Sequence, residues 1–314
     1  MLGSQLVISA LQRRGVTTIF SLSGNQIMPL YDACIDAGIR IVHVRHEAAA
    51  VFMADAWAQI TGEVGVAMLT AGPGITNGIA PLYSAAQAES PVLLISGDSS
   101  IAEDGKGAFQ EMDQTAITSP LTKLSHRPMS AAQLACSVDL AVNTAMAPRR
   151  GPVHLALPFD LLSMESGINA LPAVPPALES PALDAKSLNM LTELLSTAQR
   201  PLILAGPTWA REHMREARAR LQGALQVPIV AMESPRGLND PSLGTLRDLL
   251  AQSDLVVLAG KSLDFTLGFG GGKTFNDNAQ IAVLEPNTRM LERAQSLLGN
   301  RLTLACQVDA LQAL

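Results

Sequence analysis

Short apolar runs alternate with longer helical stretches along the whole chain. Several of the short runs are apolar on both faces, which is typical of strands covered by helices on both sides of a sheet. We predict strands at Thr18–Ser23, Arg40–Val44, Val64–Thr70, Pro91–Ser96, Leu121–Ser125, Val153–Leu157, Pro201–Ala205, Pro228–Met232, Leu255–Ala259, Ile281–Leu284 and Leu302–Ala305. Helices are predicted between them, near residues 4–14, 26–37, 46–61, 75–88, 130–146, 187–197, 209–225 and 288–297. This alternation predicts an α/β fold with mainly parallel sheets.

A proline-rich segment interrupts this pattern. Residues 163–186 contain few long apolar runs and carry prolines at positions 172, 175, 176 and 181. Proline at this density is typical of a linker, because its ring stiffens the chain and removes a hydrogen-bond donor. We therefore predict two doubly wound domains, residues 1–162 and 187–314, joined by a linker at 163–186.

The composition excludes several classes of protein. The 314 residues are 48% hydrophobic and 16% charged, which suits a folded chain. A net charge of −6 argues against a nucleic-acid surface. No apolar run reaches the ~18 residues of a membrane span, and the N-terminus has no basic region of a secretory leader. Three widely spaced cysteines suggest neither a disulfide framework nor a zinc site. We expect a cytoplasmic protein that binds neither nucleic acid nor membrane.

The first segment that could carry chemistry opens a predicted helix. Glu47 follows Arg45 and His46, and the helix continues with mostly apolar residues. An acid in a first helical turn is common and contributes only about 0.3–1 kcal/mol through the helix dipole. Alternatively, a carboxyl in an apolar site can be hydrogen-bonded to a ligand and poised for proton transfer. The segment alone favours the dipole interpretation and leaves the second open.

The second segment is a glycine turn between a predicted strand and a predicted helix. Gly72 and Gly74 let the backbone approach a ligand closely, and the helix N-terminus offers unpaired N–H groups. Together with Gly78 they suggest a dinucleotide site. However, the dinucleotide fingerprint requires its third glycine where Asn77 stands, and Pro73 removes one amide donor. A dinucleotide-dependent oxidoreductase is therefore an alternative with weak support.

Taken in order, these and further segments resemble the thiamine-diphosphate enzymes grouped with acetolactate synthase, benzaldehyde lyase and the 2-hydroxyacyl-CoA lyases. The matching stretches are Ser23-Gly24-Asn25-Gln26, Arg45-His46-Glu47-Ala48-Ala49, Thr70-Ala71-Gly72-Pro73-Gly74 with Thr76-Asn77, Ser90-Pro91-Val92-Leu93, Gly97-Asp98, Phe109-Gln110-Glu111, Asp113-Gln114, Pro120-Leu121-Thr122-Lys123 and Arg150-Gly151-Pro152-Val153-His154-Leu155. The matches are dense before residue 162 and sparse after it.

The resemblance implies a catalytic role for Glu47. In this family the glutamate hydrogen-bonds N1′ of the cofactor's aminopyrimidine and favours the imino tautomer, whose 4′-nitrogen removes the C2 proton of the thiazolium. The resemblance also implies contacts for ten other residues. Gly24, Asn25 and Gln26 would form a loop facing the reacting carbon, Thr70, Gly72, Pro73, Gly74 and Asn77 would line the pyrimidine side, and Phe109 and Gln110 would face the substrate.

The family arrangement also implies what this chain does not contain. A third domain normally holds the diphosphate through Mg²⁺, using Gly-Asp-Gly and a later Asn, and the only Gly-Asp here, Gly97-Asp98, continues to Ser99. We therefore expect a fragment, or a subunit that works with a separate chain and is inactive alone. Acetolactate synthases hold FAD partly through an Arg-Phe-Asp-Asp segment, whereas this chain has residues 261–265 as Lys-Ser-Leu-Asp-Phe. FAD is therefore not expected.

The resemblance implies a lyase, carboligase or decarboxylase that breaks or forms a carbon–carbon bond. Its substrate would be a 2-oxo acid, an aldehyde or an acyl-CoA, with thiamine diphosphate as cofactor. A homodimer or tetramer is implied, because the family's cofactor spans two subunits. A non-catalytic regulatory module is the remaining alternative, alongside the NAD(P)-dependent oxidoreductase.

Overall fold

The fold is that of a computed structural model, which describes residues 1–271 and 274–313. The chain divides into two compact units, Met1–Leu178 and Glu179–Leu314. Each unit contains one parallel sheet with helices around it, so the predicted α/β fold class is confirmed. None of the helices among these residues is long and apolar enough to span a membrane.

The first unit, all of whose residues are described, is built on six parallel strands. They are β1 (Thr18–Ser21), β2 (Arg40–His43), β3 (Gly65–Leu69), β4 (Val92–Asp98), β5 (Ser125–His126) and β6 (Val153–Pro158). Their order across the sheet is β2-β1-β3-β4-β6-β5. Strands β3, β4 and β6 are buried along their whole length, whereas edge strand β2 is partly exposed. Central strands are therefore apolar on both faces because helices cover both sides of the sheet.

Eight α-helices belong to this unit. They are α1 (Gly3–Arg13), α2 (Met28–Ala37), α3 (Glu47–Thr61), α4 (Pro73–Asn77), α5 (Ile79–Gln87), α6 (Gln114–Thr118), α7 (Leu134–Met146) and α8 (Phe159–Ser163). Helices α1, α2, α7 and α8 contribute to an apolar core on one side of the sheet, and α3 and α5 to a core on the other. Gly38 and Gly62 end α2 and α3 in the left-handed conformation, which glycine adopts without steric cost.

The described residues of the second unit form a five-stranded parallel sheet. Its strands are β7 (Pro201–Ala205), β8 (Ile229–Ala231), β9 (Leu255–Ala259), β10 (Gln280–Leu284) and β11 (Leu302–Cys306), in the order β11-β10-β9-β7-β8. Its α-helices are α9 (Ala185–Thr197), α10 (Pro207–Ala210), α11 (Arg215–Leu225), α12 (Leu246–Gln252), α13 (Thr288–Leu298) and α14 (Ala310–Ala313). Apolar cores lie on both faces of this sheet as well.

Two predicted elements differ from the structure for identifiable reasons. The predicted helix 75–88 is two helices, α4 and α5, separated at Gly78. Pro81 has no N–H to bond the carbonyl of Asn77, so the helical hydrogen bonds are interrupted at that point. The strand predicted at Leu121–Ser125 is instead β5, at Ser125–His126, because Pro120 lies in a 3₁₀ turn.

Other boundaries differ more simply. The helix predicted near 209–225 is two helices, α10 and α11, with a 3₁₀ turn at Glu212–Met214 between them. The seven-residue helix α12 has too short an apolar pattern to be predicted from the sequence.

The proline-rich segment is divided between the two units. Residues 163–178 of the predicted linker lie in the first unit, where Ile168 and Leu171 pack against its core. The amide of Asn143, on α7, donates to the carbonyl of Pro176 at 2.8 Å. The boundary between units therefore falls inside the proline-rich segment, because its first part has apolar and polar partners on the first unit.

Candidate functional site

The topology of the first sheet creates a crevice at the carboxyl ends of β1 and β3. From β1 the chain goes to β2 on one side, and it then returns to β3 on the other side of β1. The loops that follow these two strands therefore leave the sheet in opposite directions, and α/β proteins bind ligands in the crevice between such loops. Gly24, Asn25 and Gln26 follow β1, and the glycine turn follows β3.

Glu47 is the first residue of α3 and lies beside the end of α4. His46 caps the helix, since its Nδ1 accepts a hydrogen bond from the Ala48 amide at 3.1 Å. The side-chain amide of Asn77 donates to Oε2 of Glu47 at 3.0 Å. Glu47 is half-buried and Asn77 is exposed. The structure thus joins two predicted site residues directly and holds the carboxylate by one of its two oxygens.

Thr70 fills the space between two of the predicted glycines. A Cβ built on Gly24 would lie 2.3 Å from Cβ of Thr70, and one built on Gly74 would lie 2.7 Å from its Cγ2. Real Cβ atoms do not approach so closely, so both positions require glycine for packing within the protein. The resemblance implied ligand contacts for both glycines, and those contacts stay predictions; what the structure shows is that both pack against Thr70.

Gln26 links the same turn to the segment after β4. Its Oε1 accepts a hydrogen bond from the Thr70 hydroxyl at 2.6 Å, and its Nε2 donates to the Phe109 carbonyl at 3.4 Å. The side chain is buried, with 3% of its surface exposed. Gln26 therefore contacts two other predicted site residues and is itself almost inaccessible.

Gly72 and Gln110 pack against each other in unusual backbone conformations. Gly72 has φ +59°, and Gln110 has φ +61°, which costs a residue with a side chain about 1 kcal/mol or more. A Cβ on Gly72 would lie 3.0 Å from Cβ of Gln110. Oε1 of Gln110 is buried and has no hydrogen-bond partner among the described residues. Strain and an unpaired buried acceptor are both features of ligand sites.

The segment that carries Gln110 is organised by Glu111. Its carboxylate accepts hydrogen bonds from the amides of Gly105 at 2.5 Å, Gly107 at 2.8 Å and Ala108 at 2.9 Å. The Gly105 and Ala108 amides lower the pKa of Glu111 below its usual value, because they stabilise the charged form. Phe109 projects from this segment with 72% of its surface exposed. The sequence contains a signal for this role, because an acid that follows a short glycine-containing stretch can accept hydrogen bonds from its amides. From the sequence we nevertheless predict no function for Glu111.

Asn25 and Pro73 stand at the exposed ends of the same two turns. The structure thus gathers the predicted residues into a Glu47–Asn77 pair and a cluster around Thr70 that contains Gly24, Gln26, Gly72, Gly74, Phe109 and Gln110. Helix α4 connects the two groups. Their roles toward a ligand remain predictions.

A neighbouring cavity of about 310 Å³ is lined by acidic groups that already have partners. The guanidinium of Arg127 bonds Asp98 at 2.5 Å and Asp104 at 2.8 Å, and the Glu111 carboxylate bonds three amides. Within residues 1–271 and 274–313, no group of three or more His, Cys, Asp or Glu side chains could hold a metal ion.

His154 lies at the centre of a buried polar cluster behind the site. Its Nε2 is 2.8 Å from the Ser96 hydroxyl and its Nδ1 is 2.8 Å from that of Thr118. Complete burial lowers the pKa of His154 to about 3. The ring is therefore neutral in the folded protein, and its contacts are structural.

In the second unit, the equivalent crevice lies between β7 and β9. A Cβ on Gly206 would lie 2.4 Å from the Gly260 carbonyl oxygen, so the two turns are in close contact. The buried ammonium of Lys261 donates to the Thr266 hydroxyl at 2.7 Å and lies 3.5 Å from Asp264. The segment that replaces the acetolactate synthases' Arg-Phe-Asp-Asp is thus held by its own contacts.

Comparison with known proteins agrees with this description. A thiamine diphosphate-dependent 4-hydroxybenzoylformate decarboxylase from Rhodococcus jostii has the same fold, with a TM-score of 0.81 over 99% of this chain and 61% of its own, at 23% identity. A probable acetolactate synthase from Mycobacterium bovis is 34% identical over 293 residues, which are 91% of this chain and 53% of that protein. The 2-hydroxyacyl-CoA lyase 2 of Danio rerio is 30% identical over 98% of this chain and 56% of its own length.

The chain spans about half the length of the curated relatives it matches. Residues 1–117 match the sequence model of the thiamine pyrophosphate enzymes' N-terminal TPP binding domain, and residues 188–304 match that of their central domain. The first match contains Glu47, Asn77 and the whole Thr70 cluster. The chain therefore belongs to the thiamine pyrophosphate enzyme family, of which it carries the N-terminal TPP binding domain and the central domain.

Proposed function

We propose that the first unit binds the aminopyrimidine of thiamine diphosphate and that Glu47 is the catalytic residue. The observation that carries this proposal is the hydrogen bond from Asn77 to Oε2 of Glu47. It holds the carboxylate by one oxygen, Oε2, and leaves Oε1 for a ring nitrogen. A ligand that bonds this oxygen also repays the cost of burying it, because a carboxylate removed from water requires a partner.

The Thr70 cluster offers further groups that suit an aromatic ring with hydrogen-bonding substituents. The unpaired Oε1 of Gln110 is a buried acceptor, and the glycine at position 72 keeps side-chain bulk away from it. When bound, thiamine diphosphate supplies a thiazolium carbon that adds to carbonyl groups and accepts their electrons. The chain's own contribution is to hold a proton between Oε1 of Glu47 and the pyrimidine, and to orient the ring between the two turns.

The reaction would break or form a carbon–carbon bond next to a carbonyl. The similar proteins include an acetolactate synthase and a 2-hydroxyacyl-CoA lyase, which supports this reaction class for a 2-oxo acid, an aldehyde or an acyl-CoA. Phe109 and Gln110 would face that substrate. The glycine turn at 72–78 lies within the matched TPP binding domain, which favours a pyrimidine over a dinucleotide at this position.

Residues outside this chain would complete the site. Among the described residues, the acidic groups that line the first unit's cavity already have partners. Asp98, Asp104 and Glu111 have those given above, and Asp113 accepts from the Thr115 hydroxyl at 2.7 Å and the Ala116 amide at 2.9 Å. We propose that Mg²⁺ and the diphosphate are held by a further domain, either continuous with this chain or on a separate polypeptide. On this proposal the chain alone does not turn over substrate.

We propose that the second unit does not use FAD as acetolactate synthases do. Lys261 is buried, and its ammonium is engaged by Thr266 and Asp264, so its charge is not directed to a nucleotide. The close contact between Gly206 and Gly260 also narrows the crevice. A flavin absorption spectrum in the purified protein would contradict this proposal.

A dimer or tetramer is proposed from the surface beside Glu47. Helix α3 exposes Phe52 (50%), Met53 (38%) and Ile60 (73%), and α5 exposes Tyr83 (54%). Exposed apolar side chains grouped on packed helices are typical of surfaces that a second subunit covers. Analytical ultracentrifugation would measure the association, and a monomer at high concentration would contradict it.

The decisive experiment follows deuterium exchange at the thiazolium C2 of thiamine diphosphate by proton NMR in D₂O. We expect the protein to accelerate this exchange through its pyrimidine site, without Mg²⁺ because we assign that ion to the further domain, and Glu47→Gln to lose about 10²–10⁴-fold of the acceleration, the usual contribution of a general acid–base group. Glu63→Gln is the matched control, because Glu63 is an exposed acid just beyond the other end of α3. Equal exchange with wild-type protein and Glu47→Gln would refute the role of Glu47, and binding without any exchange would favour a non-catalytic module.

A further inference from the structure

We propose that Gln26 is a positioning residue that fixes the Phe109–Gln110 segment against the glycine turn, and that it does not itself contact the ligand. The effect of Gln26 on the choice of substrate rests on the proposed function, whereas its effect on the position of the Phe109–Gln110 segment does not. The position of the substrate-facing segment therefore depends on a buried side chain, that of Gln26.

Both ends of the Gln26 amide are bonded within the protein. Oε1 accepts from the Thr70 hydroxyl at 2.6 Å, and Nε2 donates to the Phe109 carbonyl at 3.4 Å. With 3% of its surface exposed, the side chain leaves almost no area for a ligand. Gln26 therefore connects the end of β3 to the segment that follows β4.

The end of β4 is shaped around this side chain. A Cβ on Gly97 would lie 2.5 Å from Cβ of Gln26, so only glycine allows the two to pack. The amide of Gln114, itself 1% exposed, donates to the Gly97 carbonyl at 2.9 Å. Gln26 is thus enclosed from the sheet side as well, and its rotamer is fixed by packing.

Phe109 and Gln110 lie between two anchors. The first joins Ala108 to Glu111: the Ala108 amide bonds the Glu111 carboxylate at 2.9 Å, and the Glu111 amide bonds the Ala108 carbonyl at 3.0 Å. The second is the Gln26 amide, which donates to the Phe109 carbonyl. A strained conformation such as that of Gln110 persists only where its surroundings determine it from several sides. Without Gln26, one of the two anchors is lost and the segment can relax away from Gly72.

The consequence for function is control of the opening above the glycine turn. If the turn contacts the pyrimidine, the distance between Phe109–Gln110 and that turn sets how bulky an acyl group can enter. Gln26 sets this distance from behind, without touching the substrate. It is therefore a determinant of substrate size rather than of the chemical step.

Hydrogen–deuterium exchange of the ligand-free chain, followed by mass spectrometry, tests the proposal. Gln26→Met keeps the length of the side chain and removes both hydrogen bonds. We expect the amides of residues 107–112 to exchange about three- to tenfold faster, since a hydrogen bond contributes about 0.5–1.5 kcal/mol to such local opening. The matched control is Gln12→Met, because the exposed Gln12 also donates its amide to a backbone carbonyl, that of Ala37 at 3.0 Å, away from the site.

A second pair of variants keeps the test decisive if Gln26→Met does not fold. Thr70→Val removes the hydroxyl that anchors Gln26 with little change in shape, whereas Thr70→Ser retains it. We expect faster exchange of 107–112 in Thr70→Val and wild-type exchange there in Thr70→Ser. Unchanged exchange of the segment in Gln26→Met and Thr70→Val would overturn the proposal. A uniform acceleration across the first unit would also overturn it, because the hydrogen bonds would then stabilise the unit as a whole.

No thiamine is present in this experiment, so its outcome is independent of the catalytic proposal. If exchange responds to Gln26 but Glu47→Gln has no effect on the C2 proton, the segment is positioned as described and the proposed function fails. If exchange of the segment does not respond to Gln26 but Glu47→Gln slows exchange of the C2 proton, Gln26 has no positioning role and the proposed function stands.

Discussion

The hydrogen bond between Asn77 and Glu47 allows a test of the site by adding a negative charge beside Glu47. Asn77→Asp would place a second carboxylate where the amide now lies, with oxygens about 3.0 Å apart. Two unit charges at that distance repel by about 1.4 kcal/mol at the dielectric constant of water, the appropriate limit because Asn77 is exposed. Screening by salt is small, since the Debye length is about 8 Å at physiological ionic strength.

Asn77→Ala separates repulsion from the loss of the hydrogen bond. Both variants lose the bond, which contributes about 0.5–1.5 kcal/mol, but only Asn77→Asp adds charge. We therefore expect Asn77→Asp to be less stable than Asn77→Ala by about 1.4 kcal/mol at pH 7.

Urea unfolding followed by the fluorescence of Trp57 measures this difference. Trp57 lies on α3 in the first unit, and Trp209→Phe in every sample removes the other tryptophan of the chain, which lies in the second unit. A difference of about 1.4 kcal/mol corresponds to a shift of roughly 0.5–1.4 M in the urea midpoint. Equal midpoints for Asn77→Asp and Asn77→Ala at pH 7 would refute the proximity of residue 77 to the Glu47 carboxylate.

Two further predictions concern the pH dependence of the first unit. His154 has a pKa of about 3 when folded and an ordinary value of 6.5 when unfolded, so the unfolded chain takes up the proton first. The free energy of unfolding should therefore fall as the pH drops below 6.5, by up to about 1.4 kcal/mol per pH unit until about pH 3. The urea midpoint of His154→Gln should lack this dependence on pH. The pKa of Glu111 is lowered from 4.5, so its contribution is present above that pH and is lost as the pH falls through the lower folded value. Hydrogen–deuterium exchange of the amides of residues 105–108 should accelerate in that pH range in the wild-type protein. In Glu111→Ala it should already be fast at pH 7, and protection retained in that variant would contradict the role of the carboxylate.

Much of the site could be predicted because its residues follow strands. Parallel strands end at the same edge of a sheet, so turns after β1 and β3 meet even though they are far apart in sequence. The predicted strands therefore put the turns that contain Gly24 and Gly72 at the same edge of the sheet. This placement does not say what fills the space at a glycine, and only the structure shows that the Thr70 side chain packs against Gly24 and Gly74.

The amino-acid pattern by itself determined the α/β class, ten of the eleven strands among the described residues and the position of Glu47 in the first turn of α3, because the periodicity of apolar residues and helix start signals are local. The partner of Glu47, thirty residues later in the chain, was decided only by the tertiary structure. So were the enclosure of Gln26 and the strained conformation of Gln110. Each of these depends on distances between segments that the fold brings together, and those distances are set by packing rather than by any short stretch of sequence.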